Sequence, residues 1–335
     1  MNITAVIVAV LLASVITAVG GFWLLPMLRR LHFGQTILEI GPKWHQGKQG
    51  TPTMGGLMFI IGIPIAVVVA YLFMHASTVG DPMSAIMRAC MFYGLVLALL
   101  FGAIGFLDDY LKVVKKQNEG LTEKQKMALQ ILFGAVYLLL LHISGTQSTM
   151  VTIPYIGTYD FGVFYYVFAM FAIIALSNAV NFTDGLDGLL SSVTLVLSIG
   201  YLIFCYLLGM GEMGIMAGAL GGGCIGFLFW NHYPAKVFMG DTGSLFMSGM
   251  VIALAFGTGL PFFVVLFGII YVIEIGSVVL QRCYFKLTHG KRIFKMSPIH
   301  HHFEMSGYTE KQIVVMFAVI TAIGSALGIL ALRFI

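Results

Sequence analysis

The chain has 335 residues, of which 59% are hydrophobic and 10% charged, with a formal net charge of +4. A soluble domain carries roughly 25% charged residues, and the mean hydropathy of +0.97 excludes that class in favour of an integral membrane protein. The cations are interleaved with carboxylates and lack an aromatic stacking platform, which excludes a nucleic-acid partner.

A helix rising about 1.5 Å per residue needs about 20 apolar residues to cross ~30 Å of hydrocarbon. Ten stretches approach that length: near 3–25, 53–74, 87–107, 127–143, 161–180, 189–208, 213–230, 244–259, 261–281 and 311–332. They leave no room for a soluble domain. Residues 1–335 are therefore predicted to form a single all-α polytopic bundle, because lipid offers no partner to open backbone groups. No Lys or Arg precedes the first stretch and no small-residue cleavage site follows it, so it reads as an uncleaved first span. Cys90, Cys205, Cys224 and Cys283 lack CxxC spacing, and neither structural zinc nor a disulfide framework is expected.

Inner loops are predicted near 26–52, 108–126, 181–188, 231–243 and 282–310. Of the 18 cations, all but Arg88 and Arg333 fall in or beside these loops. The positive-inside rule makes the rich side cytoplasmic and puts both termini outside. Outer connections such as GMGE at 209–212 and GTGL at 257–260 are short. No internal repeat is visible, which speaks against a transporter built from inverted repeats. Gly218, Gly222 and Gly226 share one helix face, as do Gly324 and Gly328. Such spacing lets helices approach closely, within one subunit or, for the last span, across a homodimer. Glu274 is the one carboxylate deep within a span, where it needs a partner or an aqueous groove.

Five of the seven aspartates sit where apolar stretches meet the cationic loops. Asp108 and Asp109 in GFLDDYLK end the third stretch; adjacent helical residues point about 100° apart, so the two should face different partners. A hydrated helix end is the simpler account of that pair. Asp184 and Asp187 in NFTDGLDGL would share a face if this segment begins a helix, which Asn181 and Thr183 would cap. Asp241 in MGDTGS precedes the eighth stretch and suits either an N-cap or a ligand for a hard cation such as Mg²⁺, which prefers oxygen donors. His300, His301 and His302 precede Phe303 and Glu304. Consecutive spacing is poor for one zinc ion, so imidazoles near phosphate or structural hydrogen bonding are the expectations. Lys112 and Lys124 are candidates to hold a lipid phosphate at the membrane surface. Carboxylates, imidazoles, glycine turns and lysines on one face suit phosphoryl transfer to a lipid.

The motifs TPTMGG at 51–56, FLDDYLK at 106–112, NAVNFTDGLDGL at 178–189, NHYPAKVFMGDTGS at 231–244 and PIHHHFE at 298–304 resemble the phospho-N-acetylmuramoyl-pentapeptide transferase family. This is the bacterial branch of the polyprenyl-phosphate N-acetylhexosamine-1-phosphate transferases. The resemblance implies a bacterial cytoplasmic-membrane enzyme that moves phospho-N-acetylmuramoyl-pentapeptide from UDP-N-acetylmuramoyl-pentapeptide to undecaprenyl phosphate, releasing UMP, with Mg²⁺ as cofactor. It implies that Asp108, Asp109 and Asp241 carry catalysis, with Asp241 on the metal. Asn181, Asp184, Asp187 and Phe238 would line the nucleotide pocket, and Lys48, Thr53, Gln281 and His300 to His302 would approach nucleotide, phosphates or sugar. A sibling enzyme specific for N-acetylglucosamine-1-phosphate would share the aspartates. Direct attack by the lipid phosphate and a covalent aspartyl-phosphate route both remain open.

Overall fold

The computed structural model describes residues 2–31, 48–75, 82–115, 120–145 and 148–334. Lys43, Lys116 and most of the first inner loop lie outside the described residues. The protein is a mostly helical polytopic membrane protein. Its long helices are α1 (Ile3–Arg30), α2 (Leu57–His75), α3 (Pro82–Lys115), α4 (Glu123–Ile143), α5 (Phe164–Phe182), α6 (Leu189–Leu207), α7 (Gly211–Asn231) and α8 (Gly240–Gly257). Then come α9 (Val264–Phe267), α10 (Ile269–Leu287), the short α11 (Ile299–Glu304) and α12 (Glu310–Ala331). Among the described residues, eight helices are long and apolar enough to cross a membrane, and α2 forms a shorter apolar helix.

Three local features depart from the hydropathy pattern. First, α3 does not stop at Asp108 but continues to Lys115, so both aspartates lie inside a helix. Second, the stretch 261–281 is broken: a 3₁₀ turn and α9 meet α10 at 86°. The junction is Gly268, whose backbone (φ −105°, ψ 34°) leaves the helical region. Third, a two-stranded antiparallel hairpin, β1 (Met150–Ile153) and β2 (Gly157–Asp160), links α4 to α5. The Tyr155 hydroxyl donates to the Leu327 carbonyl, tying this hairpin to the far end of α12.

Small residues set the packing that matters for the site. Along the antiparallel α3–α8 seam, Gly94 faces Ala253, Gly249 faces Ala98 and Gly105 faces the Asp241 carbonyl, where a Cβ would stand only 2.0 Å away. Glycine here brings two backbones together, as small residues do wherever lipid provides no hydrophobic drive. Gly222 and Gly226 likewise admit the α1 backbone at Val10 and Ser14. Gly324 backs onto Leu266 and Gly328 onto Phe267, so this face of α12 is filled within the subunit. Thr122 with Gln125 and Thr309 with Gln312 form capping boxes that start α4 and α12.

Candidate active site

The α3–α8 seam delivers Asp108 and Asp109 beside Asp241. One oxygen from each of the three carboxylates lies within 4.8 Å of the others. Their partners differ. Asp109 Oδ2 accepts both the Thr242 amide (2.9 Å) and the Thr242 hydroxyl (2.7 Å), capping α8 from another helix. That helix has no side-chain cap of its own, so an orphan amide is satisfied in trans. Asp108 Oδ1 accepts the Leu121 amide at 2.7 Å, folding the α3–α4 connection over the site, where Gly120 makes close approach to Asp108 possible. Asp241 Oδ1 accepts from the Asn181 side chain at 3.0 Å, and Asn181 also donates to Ser244 at 2.7 Å.

Two ammonium groups are threaded between the carboxylates. Lys112 Nζ is 2.6 Å from Asp108 and 3.1 Å from Asp241; Lys126 Nζ is 3.0 Å and 2.8 Å from the same two residues. Two positive charges among three acidic groups lower the Coulombic cost of gathering them in a low-dielectric place. Asp241 keeps 20% of its side chain exposed, whereas Asp108 is fully buried. Asp241 is therefore the carboxylate most open to a ligand. Three converging oxygen donors beside an open face fit a hard divalent cation.

The NFTDGLDGL segment does not begin a helix. Asn181 lies in the last turn of α5, and the Thr183 hydroxyl returns to the Ala179 carbonyl rather than capping the next helix. Residues 183–188 form a turn, and α6 starts after Gly188 at φ 74°, a conformation that suits glycine. Burial, with the charges of Asp241, Asp109 and Asp187, pushes the partly buried Asp184 carboxyl up to about 8.

Asp187 enters a different constellation. Its Oδ1 is 2.7 Å from Lys48, and its Oδ2 accepts the Ala235 amide at 2.9 Å. Glu310 Oε2 accepts from Lys48 at 2.7 Å and from the Asp187 amide at 3.1 Å. This clasp ties four separate stretches of chain. Thr53 and Phe238 lie on a neighbouring extended pair: the Phe238 amide donates to Pro52, and the Gly55 amide donates to Phe238, both at 2.8 Å.

The histidine run forms α11. His300 Nδ1 is 3.0 Å from Glu274 Oε1, and His301 Nδ1 is 2.7 Å from Glu304. His302 is half-buried, and its Nδ1 accepts the Lys295 amide. Gln281 receives the Ile293 and Phe294 amides and donates to the Phe294 carbonyl, holding the loop ahead of α11.

Sequence comparison with known proteins finds relatives over nearly the whole chain. The chain is 44% identical over 325 residues to the phospho-N-acetylmuramoyl-pentapeptide-transferase of Heliobacterium modesticaldum, with 96% of both chains covered. It is 42% identical over 323 residues to that of Listeria welshimeri, again covering 96% of both. The corresponding protein of Clostridium perfringens is 44% identical over 319 residues, covering 95% of this chain and 96% of its own. The chain belongs to the phospho-N-acetylmuramoyl-pentapeptide-transferase family. Its signature 1 matches residues 48–60, and the wider glycosyl transferase family 4 matches residues 91–259.

The transferase signature thus starts at clasp residue Lys48, while the glycosyl transferase match contains all three clustered aspartates. Lys124 stands exposed on α4. Lys126, two residues on, is the α4 lysine that reaches the carboxylates. Its signal is present in the chain: Gln130, buried within an apolar helix and donating to Ser177, marks the inward face, and Lys126 lies one turn before it. Lys124 lies on the other side. Sequence reasoning also misses Ser244, which accepts from Asn181, and Glu310, which accepts from Lys48.

Proposed function

We propose that this chain transfers phospho-N-acetylmuramoyl-pentapeptide from UDP-N-acetylmuramoyl-pentapeptide to undecaprenyl phosphate, releasing UMP, in the bacterial cytoplasmic membrane. The observation that carries this reading is the convergence of Asp108, Asp109 and Asp241 with Lys112 and Lys126 at one end of an apolar bundle. Its relatives support the substrate choice over N-acetylglucosamine-1-phosphate.

In this proposal Asp241 holds Mg²⁺, with Asp108 and Asp109 close enough to share it. Bound there, Mg²⁺ would neutralise pyrophosphate charge and act as a Lewis acid toward the departing UMP. The chain's own residues do the positioning that dominates phosphoryl transfer. Lys112 and Lys126 neutralise the lipid phosphate as it approaches from the bilayer. Asp108 accepts or orients the proton of that phosphate while its oxygen attacks phosphorus directly. Direct attack is the route proposed, and the lipid-free reaction below separates it from an aspartyl-phosphate route. Asn181, Asp184, Asp187 and Phe238 line the nucleotide side, where Lys48, Thr53, Gln281 and His300 to His302 complete the pocket.

The same reading treats residues 1–335 as one domain with ten spans, counting α2 and the bent α9–α10 pair. The site faces the cytoplasm and both termini lie outside. A homodimer would use a face other than the one carrying Gly324 and Gly328, which α9 covers.

The test is UMP release by the purified protein. Release should require UDP-N-acetylmuramoyl-pentapeptide, undecaprenyl phosphate and Mg²⁺ together, and should not occur with UDP-N-acetylglucosamine. Stoichiometric UMP without the lipid, with phosphosugar retained on the protein, would overturn direct attack. No release under any combination would sink the assignment.

A further inference from the structure

Glu274 is fully buried in α10, and one of its carboxylate oxygens meets a histidine that is only 1% exposed. An ionisable group at such a depth is costly and ordinarily marks a functional pairing. Here the pair is only half used. Oε2 of Glu274 and Nε2 of His300 have no hydrogen-bond partner among the described residues. The free edge of the ring abuts the turn after α5. A Cβ on Gly185 would stand 2.1 Å from His300 Nε2, so glycine is what lets the imidazole lie against this turn. Asp184 immediately precedes that contact.

The rest of the α10 face repeats the arrangement. Gln281, two turns beyond Glu274, makes three hydrogen bonds to the backbone of Ile293 and Phe294. The helix therefore holds the histidine segment at two heights, by backbone at Gln281 and by a ring nitrogen at Glu274. Engaging Nδ1 leaves Nε2 as the ring nitrogen turned toward the Asp184–Gly185 turn, and which nitrogen is free is set by the partner of the other.

We infer that Glu274 is a positioning residue for nucleotide-sugar binding: it anchors Nδ1 of His300 so that the ring supports the Asp184–Gly185 turn. This rests on the proposed nucleotide side of the site. Glu274 itself touches no substrate in this scheme, and the lipid acceptor is untouched by it.

The experiment is a double-mutant cycle on the full chain in detergent micelles, measuring UMP release and thermal stability. Glu274→Met, which replaces a buried carboxyl by an apolar side chain, should raise KM for UDP-N-acetylmuramoyl-pentapeptide on the order of tenfold, as expected for a displaced positioning group. KM for undecaprenyl phosphate should stay at the wild-type value. Glu274→Gln, which keeps an oxygen toward Nδ1, should restore the nucleotide KM to within about threefold, a small fraction of that loss. In a His300→Ala background, Glu274→Met should add nothing, because the two residues act as one unit. Should the Met variant fail to fold, Glu274→Asp, which draws the carboxylate back from Nδ1, takes its place in the same cycle. An unchanged nucleotide KM, an equal rise in the lipid KM, or full additivity with His300→Ala would overturn the inference. If the wild-type protein releases no UMP, the proposed function has failed instead, and a folded, active wild type separates the two outcomes.

Discussion

Two constellations of acids and lysines occupy the same end of the bundle, and they are built for different ends. In the clasp, Lys48, Asp187 and Glu310 use one another and nearby backbone amides: both Asp187 oxygens and the Glu310 Oε2 are engaged. In the cluster, three carboxylates crowd within 4.8 Å, two lysines lie between them, and Asp241 stays partly open. Residue type does not distinguish the two. What distinguishes them is crowding and exposure: both sets engage their acceptors, but only the cluster packs three carboxylates together with one of them partly open. The clasp fixes the chain on the proposed nucleotide side, whereas like charges crowded at an open face are eased by a bound cation.

The sharpest way to break this contrast is to neutralise one member of each. Asp241→Asn should cut UMP release by about 10³-fold, the scale of losing a principal electrostatic group, while leaving the melting temperature close to wild type. Lys126→Met should come next with about a 10²-fold loss of activity, whereas the exposed Lys124→Met should stay within about twofold, as most surface changes do. Steady-state UMP assays on the three variants check both points. Equal losses at Lys124 and Lys126 would break the assignment of the α4 lysine.

Glu310→Gln should show the reverse pattern. It weakens a largely buried ion pair, and removing one partner of such a pair costs about 3 kcal/mol or more. The melting temperature should drop by several degrees, with kcat at low temperature within about threefold of wild type. A variant of undiminished stability but lost turnover would move the clasp into the catalytic group and erase the contrast.

Much of this arrangement is legible in the chain. The ten apolar stretches each contain helix, and the polar motifs between them meet at one end because successive spans alternate direction. The failures have physical causes. The drop in hydropathy at Asp108 reads as a helix end, yet α3 runs about two turns on, with Lys112 pairing back to Asp108 one turn earlier. Asn181 and Thr183 read as caps of the next helix, but a hydroxyl can equally return to a carbonyl four residues earlier, as Thr183 does to Ala179. The stretch 261–281 is apolar on both sides of Gly268, and hydropathy carries no record of the 86° bend there. The Glu274–His300 contact joins residues 26 apart in the chain, and the composition of neither segment specifies it.

The smallest effect expected is at Asp184, between the two constellations. Burial and the neighbouring carboxylates push its carboxyl up to about 8, above the ordinary value of 3.8. Between these two values the folded protein holds a proton that the unfolded chain has released. Stability from this group is therefore greatest below about pH 4 and declines as pH rises toward 8. Asp184→Asn removes the titration while keeping the shape. Its melting temperature should exceed that of wild type by about 1–2 °C at pH 8.5, the shift expected for roughly 1 kcal/mol in a chain longer than about 250 residues. The gap should narrow toward pH 5, with both proteins measured in the same micelles without divalent cation. A gap that is constant with pH would mean that Asp184 is not crowded by the cluster, and that the open group of acids ends at Asp241.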